Sequence, residues 1–203
     1  MSLVNYSTRE ITCKIVYYGP GRSGKTTNLQ YIHTRVPEGR RGSMVSLATD
    51  GDRTLFFDLL PLDLGSISGF QTKFQLYTVP GQIYYDATRK LVLKGADGVV
   101  FVADSKGNRQ DDNVESFRNL QTNLLEQGVD PREFPICFQY NKRDLPDAAS
   151  VGSMDRVLNY RVLPRFTGTA ARGDGVFETL RGITELVLRR VATRIDRAGS
   201  AVL

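Results

Sequence analysis

Two cysteines, one histidine and no membrane-length apolar run remove several chemistries from this 203-residue chain at the outset. Cys13 and Cys137 both lie inside apolar, strand-like runs and read as buried free thiols, which behave as small apolar residues. A disulfide framework or a zinc site would need more cysteines or a Cys/His cluster. His33 lies on an expected helix without a partner motif, so no metalloprotease or Ser-His-Asp scheme forms around it. No apolar stretch approaches the length of a membrane span. The start, Met1-Ser2-Leu3-Val4-Asn5, lacks the charged flank and apolar run of a signal peptide. Ser at position 2 and the ending Ala201-Val202-Leu203 give no support to myristoylation or prenylation. These absences lead to the expectation of a cytoplasmic protein with no stable membrane anchor.

The length suits one α/β domain over residues 1–203, with its core at about residues 10 to 195. The formal charge is +5, and no block of Lys and Arg resembles a nucleic-acid arm. A mildly basic balance suits a ligand carrying several negative charges without identifying it. Strand-like and helix-like segments alternate, which points to a mostly parallel sheet with helices on both faces. The expected strands are Ile11–Tyr18, Thr54–Leu60, Lys73–Val79, Gly98–Ala103, Pro135–Tyr140 and Val162–Phe166. The second and third read as an antiparallel pair forming one edge, joined by a turn around Gly65–Gly69. Expected helices cover Lys25–Arg35, Asn113–Glu126 with Asp111 or Asp112 as its cap, part of Asp147–Arg161, and Val176–Arg194. On the last, Val176, Leu180, Ile183, Val187 and Val191 form one buried stripe, and residues 197–200 are expected to fray. Val36–Asp52 reads as a loop.

Gly19-Pro20-Gly21-Arg22-Ser23-Gly24-Lys25-Thr26 fits G-x-x-x-x-G-K-[ST] between an expected strand and an expected helix. In such a loop the backbone N–H groups turn inward around a phosphate, and the positive end of the helix adds to their field. Lys25 is placed to reach the β- and γ-phosphates, the Thr26 hydroxyl to ligate Mg²⁺, and Thr27 to lie at the same helix start. Alone, this motif implies a nucleoside triphosphate and does not choose the base.

Asn141-Lys142-Arg143-Asp144 follows an expected strand, on the carboxyl edge of the sheet beside the phosphate loop. An Asp carboxylate accepts two hydrogen bonds from the N1–H and 2-amino group of guanine, groups that adenine lacks. Lys142 can lay its aliphatic stem along the base, and Asn141 can tie neighbouring loops together. Thr169-Ala170-Ala171 is placed to offer a backbone N–H to guanine O6, although the triplet alone is weak. An ordinary polar turn is the plain alternative for Asn141–Asp144.

With both motifs present, the chain resembles Ras-like small GTPases with the P-loop NTPase fold. It looks most like the bacterial MglA group of mutual gliding-motility proteins. The segments KIVYYGPGRSGKTTNLQYI, DRTLFFDLLPLDLG, LYTVPGQ and YNKRDLPDA carry that closer similarity. The resemblance implies a monomeric GTP-binding switch that slowly hydrolyses GTP to GDP and phosphate with Mg²⁺. It implies a role in cell polarity or in gliding and twitching motility, and leaves room for recruitment to the cell poles. It implies effectors in the GTP state and a roadblock-fold, MglB-like activator docking on the switch loops and on Thr54–Leu60.

Matched residue by residue, Thr54 is the switch threonine that would bind Mg²⁺ when the γ-phosphate is present. Gly81 would donate its N–H to that phosphate, and Gln82 would orient the attacking water. Gly21 would pack beside the same phosphate. Arg53 would act as a built-in catalytic arginine, unless it simply points to solvent from its loop. The sequence departs from the family at Thr78, where a metal-supporting aspartate is usual. Asp58, a carboxylate inside the apolar run Leu55–Leu60, is a candidate substitute because burying it unpaired is unfavourable. An exposed edge position, or a basic partner, would explain Asp58 equally. Two other classes compete: an ATP-using P-loop enzyme, and a scaffold that binds GTP without turning it over.

Overall fold

Alternation along Glu10–Tyr18 decides the layering. Ile11, Cys13, Ile15 and Tyr17 enter one apolar core while Val16 and Tyr18 enter another, so this strand is covered on both faces. The computed structural model describes residues 3–46, 57–67 and 69–200. In chain order the strands are β1 (Leu3–Asn5), β2 (Glu10–Tyr18), β3 (Val45–Ser46), β4 (Asp58–Ile67), β5 (Phe70–Thr78), β6 (Gly98–Asp104), β7 (Ile136–Asn141) and β8 (Arg165–Thr167). The α-helices are α1 (Lys25–Arg35), α2 (Asp86–Leu93), α3 (Gln110–Glu126), α4 (Val151–Leu158) and α5 (Val176–Ser200).

The sheet order is β3-β4-β5-β2-β6-β7-β8, with β1 pairing on β2. Strands β5, β2, β6, β7 and β8 run parallel, while β4 runs antiparallel to β5 and β3 to β4. Helices α1 and α5 cover one face through Leu29, Ile32, Leu180, Ile183 and Val187. Helices α2, α3 and α4 cover the other through Val92, Phe117, Leu120, Met154 and Leu158. Strand β2 has parallel neighbours on both sides, so its carboxyl end opens into the crevice where such sheets bind ligands.

Several expected boundaries are corrected. The strand expected at Thr54–Leu60 is described from Asp58 and runs on to Ile67; positions 54–56 lie outside the described residues. The turn expected around Gly65–Gly69 falls at the Gly69 end of that range, between Ile67 and Phe70, and Gly65 is not part of it. With φ at +94°, Gly65 sits where the pairing register shifts between Asp63 and Ser66, a bulge within β4. The last parallel strand is Arg165–Thr167 rather than Val162–Phe166. Val162 takes φ +54° in the turn after α4 and is 87% exposed, and Pro164 follows it. Helix α3 starts at Gln110, so Asp111 and Asp112 occupy its first turn instead of capping it. The Val36–Asp52 loop contains the two-residue strand β3, and α5 continues as helix through 197–200.

Phe101, Phe117 and Phe138 meet in the α3-side core with ring centroids 5.0–5.6 Å apart. Phe138 is fully buried. Truncation to alanine is expected to cost about 3–5 kcal/mol. In thermal unfolding, that should lower the midpoint by roughly 10 °C for a chain of this size.

Candidate functional site

The chain must reverse between the end of β2 and the start of α1, and its glycines permit the path. Gly24 holds φ +99°, and a Cβ there would lie 2.2 Å from the Asn141 side-chain nitrogen. Both the backbone angle and the space require glycine. Lys25 is buried, its Nζ donating to the carbonyls of Gly19 at 3.0 Å and Pro20 at 2.7 Å. Burial pushes the Lys25 amine down to about 7; the Arg89 cation adds to the shift and Asp58 opposes it. A cation held at such a disadvantage favours any polyanion entering the loop.

A cleft of about 580 Å³ opens beside this loop, lined in part by Gly21, Arg22, Lys25, Thr27, Asp58 and Gln82. Asp58 is only 7% exposed, which removes the exposed-edge explanation. Its Oδ2 accepts from the Thr26 hydroxyl at 2.7 Å and from the Thr78 hydroxyl at 2.8 Å. Oδ1 accepts from the Ser46 hydroxyl at 2.7 Å. The Asp58 N–H in turn donates to Thr78 Oγ1 at 2.9 Å. The threonine at position 78 thus grips a carboxylate that arrives from the neighbouring antiparallel strand. The donor chemistry fits a small hard cation: Thr26 Oγ1 and the Asp58 carboxylate are adjacent oxygens of the kind Mg²⁺ takes. No group of three or more His, Cys, Asp or Glu side chains forms a metal cage among the described residues. A cation held here would take part of its shell from ligand phosphates, as Mg²⁺ commonly does.

Asn141, the last residue of β7, joins this loop to the Thr169–Ala171 loop. Its Nδ2 donates to the Ser23 carbonyl at 2.7 Å, and its Oδ1 accepts from the Ala170 N–H at 2.8 Å. Thr169 and Ala170 are buried behind that bond, and Ala171 is exposed. Lys142 sits at φ +65° and sends its Nζ to Asp104 Oδ2 at 2.6 Å. The Arg143 N–H donates to the Gly168 carbonyl at 3.1 Å, locking the two loops together. The Asp144 carboxylate remains exposed on this loop.

Gly81 lies directly against the phosphate loop. A Cβ on Gly81 would fall 2.2 Å from the Gly21 Cα, so both loops meet through bare backbone. Gln82 follows on the exposed side. Arg53 and Thr54 lie outside the described residues.

Three residues enter the site that the sequence reading passed over. Asp104, 2% exposed, anchors Lys142 from the end of β6. Arg109 donates to the Gly21 carbonyl at 2.8 Å. Arg89, completely buried on α2, donates to the carbonyls of Pro80 at 2.9 Å and Gly81 at 2.5 Å. A signal for Arg89 was present, since it shares i, i+3, i+4 spacing with the buried Val92 and Leu93.

No family model matches the chain as a whole or in part. The mutual gliding-motility protein MglA of Myxococcus xanthus (strain DK1622) is 58% identical over 188 residues, covering 93% of this chain and 96% of that protein. ADP-ribosylation factor-like protein 6 of Caenorhabditis elegans is 24% identical over 189 residues, with 89% of each chain covered. ADP-ribosylation factor-like protein 4D of Mus musculus is 26% identical over 182 residues, covering 87% of this chain and 83% of its own. The 58% identity to that MglA over nearly the whole length, on a sheet with this phosphate loop at its switch point, places the chain in the MglA family of Ras-like small GTPases.

Proposed function

We propose that the chain is a single-domain GTP/GDP switch that requires Mg²⁺, hydrolyses GTP slowly, and regulates gliding motility and cell polarity. The observation that carries the nucleotide reading is Asn141. Its two hydrogen bonds hold the phosphate loop and the Thr169–Ala171 loop in one frame, beside Lys142 and Asp144. In this reading Gly19, Gly21, Arg22, Ser23, Gly24 and Lys25 surround the phosphates, and Thr26 and Thr27 close the helix end. Asp144 takes the guanine edge, with Ala170 or Ala171 at O6. Thr26 and Thr54 hold Mg²⁺, and Asp58 supplies the nearby charge that Thr78 cannot. Held there, Mg²⁺ would offset negative charge on the phosphates.

Lys25 steadies the γ-phosphate, Gln82 orients water for in-line attack, and Arg53 offsets charge that builds in the transition state. A roadblock-fold, MglB-like activator and GTP-state effectors are the partners this reading requires, at the switch loops. None of the helices among the described residues is long and apolar enough to cross a membrane. Phosphate release tests the catalytic part. With activator present, Gln82→Leu is expected to keep GTP affinity and lose at least about a hundredfold in turnover, and Arg53→Ala a comparable factor. Wild-type turnover in either variant would remove that residue from the mechanism, and no phosphate release from the wild type would leave a GTP-binding scaffold instead.

A further inference from the structure

We propose that Arg89 is a positioning residue through which the chain tells a bound triphosphate from a diphosphate, by setting the Gly81 peptide against the phosphate loop. The proposal rests on the GTP reading above and goes beyond it, since Arg89 acts through the carbonyls of Pro80 and Gly81.

Burying a guanidinium is unfavourable unless its nitrogens find acceptors. Arg89 meets that demand with the switch backbone: Nε donates to Pro80 O at 2.9 Å and one terminal nitrogen to Gly81 O at 2.5 Å. The other terminal nitrogen donates to Asn119 Oδ1 at 2.8 Å, and the cation lies 5.1 Å from the Tyr18 ring centroid. Asn119 is fixed in turn by donating to Asp86 at 2.7 Å, and Asn123 donates to the same carboxylate at 2.9 Å. The latch is therefore built on α2 and α3, outside the mobile chemistry of the nucleotide.

Its consequence follows from peptide geometry. In a trans peptide the C=O and the following N–H point in opposite directions. Holding Pro80 O toward Arg89 therefore turns the Gly81 N–H away from it. The bare contact between Gly81 and Gly21 lies on the phosphate-loop side. That N–H is the group assigned to the γ-phosphate, and a diphosphate offers it nothing. Loss of Arg89 should thus weaken triphosphate binding selectively, because the peptide can rotate at little cost once its carbonyls are released.

The test compares the affinities of Mg²⁺-GDP and of a non-hydrolysable Mg²⁺-GTP analogue across wild type, Arg89→Lys, Arg89→Met and Asn119→Ser. Arg89→Met is expected to lose about tenfold or more for the triphosphate analogue, roughly one charge-assisted hydrogen bond, while GDP stays within about threefold. Arg89→Lys, which keeps the charge but not the fork, should recover part of the loss. Asn119→Ser should shift the ratio in the same direction by less, and it reports on the latch should Arg89→Met fail to fold. Equal losses for both nucleotides, or an unchanged ratio in the folded variants, would overturn the proposal. A wild type that binds neither nucleotide would refute the GTP reading itself and the proposal with it.

Discussion

Asp144→Asn is expected to cost the chain about a hundredfold to ten-thousandfold in guanine-nucleotide affinity and to raise its affinity for xanthosine nucleotides. Two charge-assisted hydrogen bonds at about 1.5–3 kcal/mol each set that range. In the proposed reading the carboxylate accepts from N1–H and from the 2-amino group; an amide keeps one acceptor and turns the other into a donor. Xanthine carries an oxygen where guanine carries the 2-amino group, so the donor finds a partner again. The fold should be unaffected, because Asp144 is exposed while the adjoining Asn141 carries the loop-to-loop bonds. Competition between GDP and xanthosine diphosphate on the variant measures both halves. A variant that retained wild-type guanine preference would remove Asp144 from recognition.

Asp58 should give the second large effect, and two substitutions separate its roles. Asp58→Ala removes the acceptor shared by Thr26, Thr78 and Ser46. Leaving the buried Thr78 hydroxyl without it is expected to destabilise the chain by about 1–3 kcal/mol. Asp58→Asn keeps the shape and one acceptor oxygen for Thr26 and Thr78, removes the charge, and turns the other position into a donor facing the Ser46 hydroxyl, which can accept. That variant should unfold near the wild-type temperature yet lose about tenfold or more of the affinity that Mg²⁺ adds to nucleotide binding. It would also leave the Lys25 and Arg89 cations without the carboxylate that now opposes their repulsion. Titrating nucleotide affinity against Mg²⁺ decides the matter. Undiminished Mg²⁺ dependence in Asp58→Asn would falsify the assignment of the metal's missing charge to this residue.

The parts of the molecule written in local residue types were legible in advance. The phosphate loop and α1 were readable because glycine, lysine and helix formers follow one another in a fixed order, and α1 spans Lys25–Arg35 as expected. The α5 stripe was readable because five apolar residues repeat at helical spacing, and all five are buried. Asp58 stood out because a carboxylate in an apolar run demands an explanation. Its three hydroxyl partners were not readable, since they converge only when β3, β4, β5 and α1 are assembled. β8 was misplaced because Val162 looks like strand material, while its positive φ is imposed by the turn it closes. Arg89 was missed too. The sequence reading placed no element between Val79 and Gly98, and the packing of α2 against α3 and the Pro80–Gly81 backbone makes this residue interior.

The two thiols described as core residues have a practical corollary. Cys13 and Cys137 are both fully buried, and burial first, with Asp97 adding at Cys13, pushes the Cys13 thiol up to about 12 and the Cys137 thiol also upward. Thiolate, the species that alkylating dyes attack, is thus scarce and shielded at both sites. For spectroscopy the natural chain already serves as a silent background. A single cysteine introduced at Tyr84, which is 91% exposed beside Gln82, can carry a fluorophore or spin label without deleting either native sulfur.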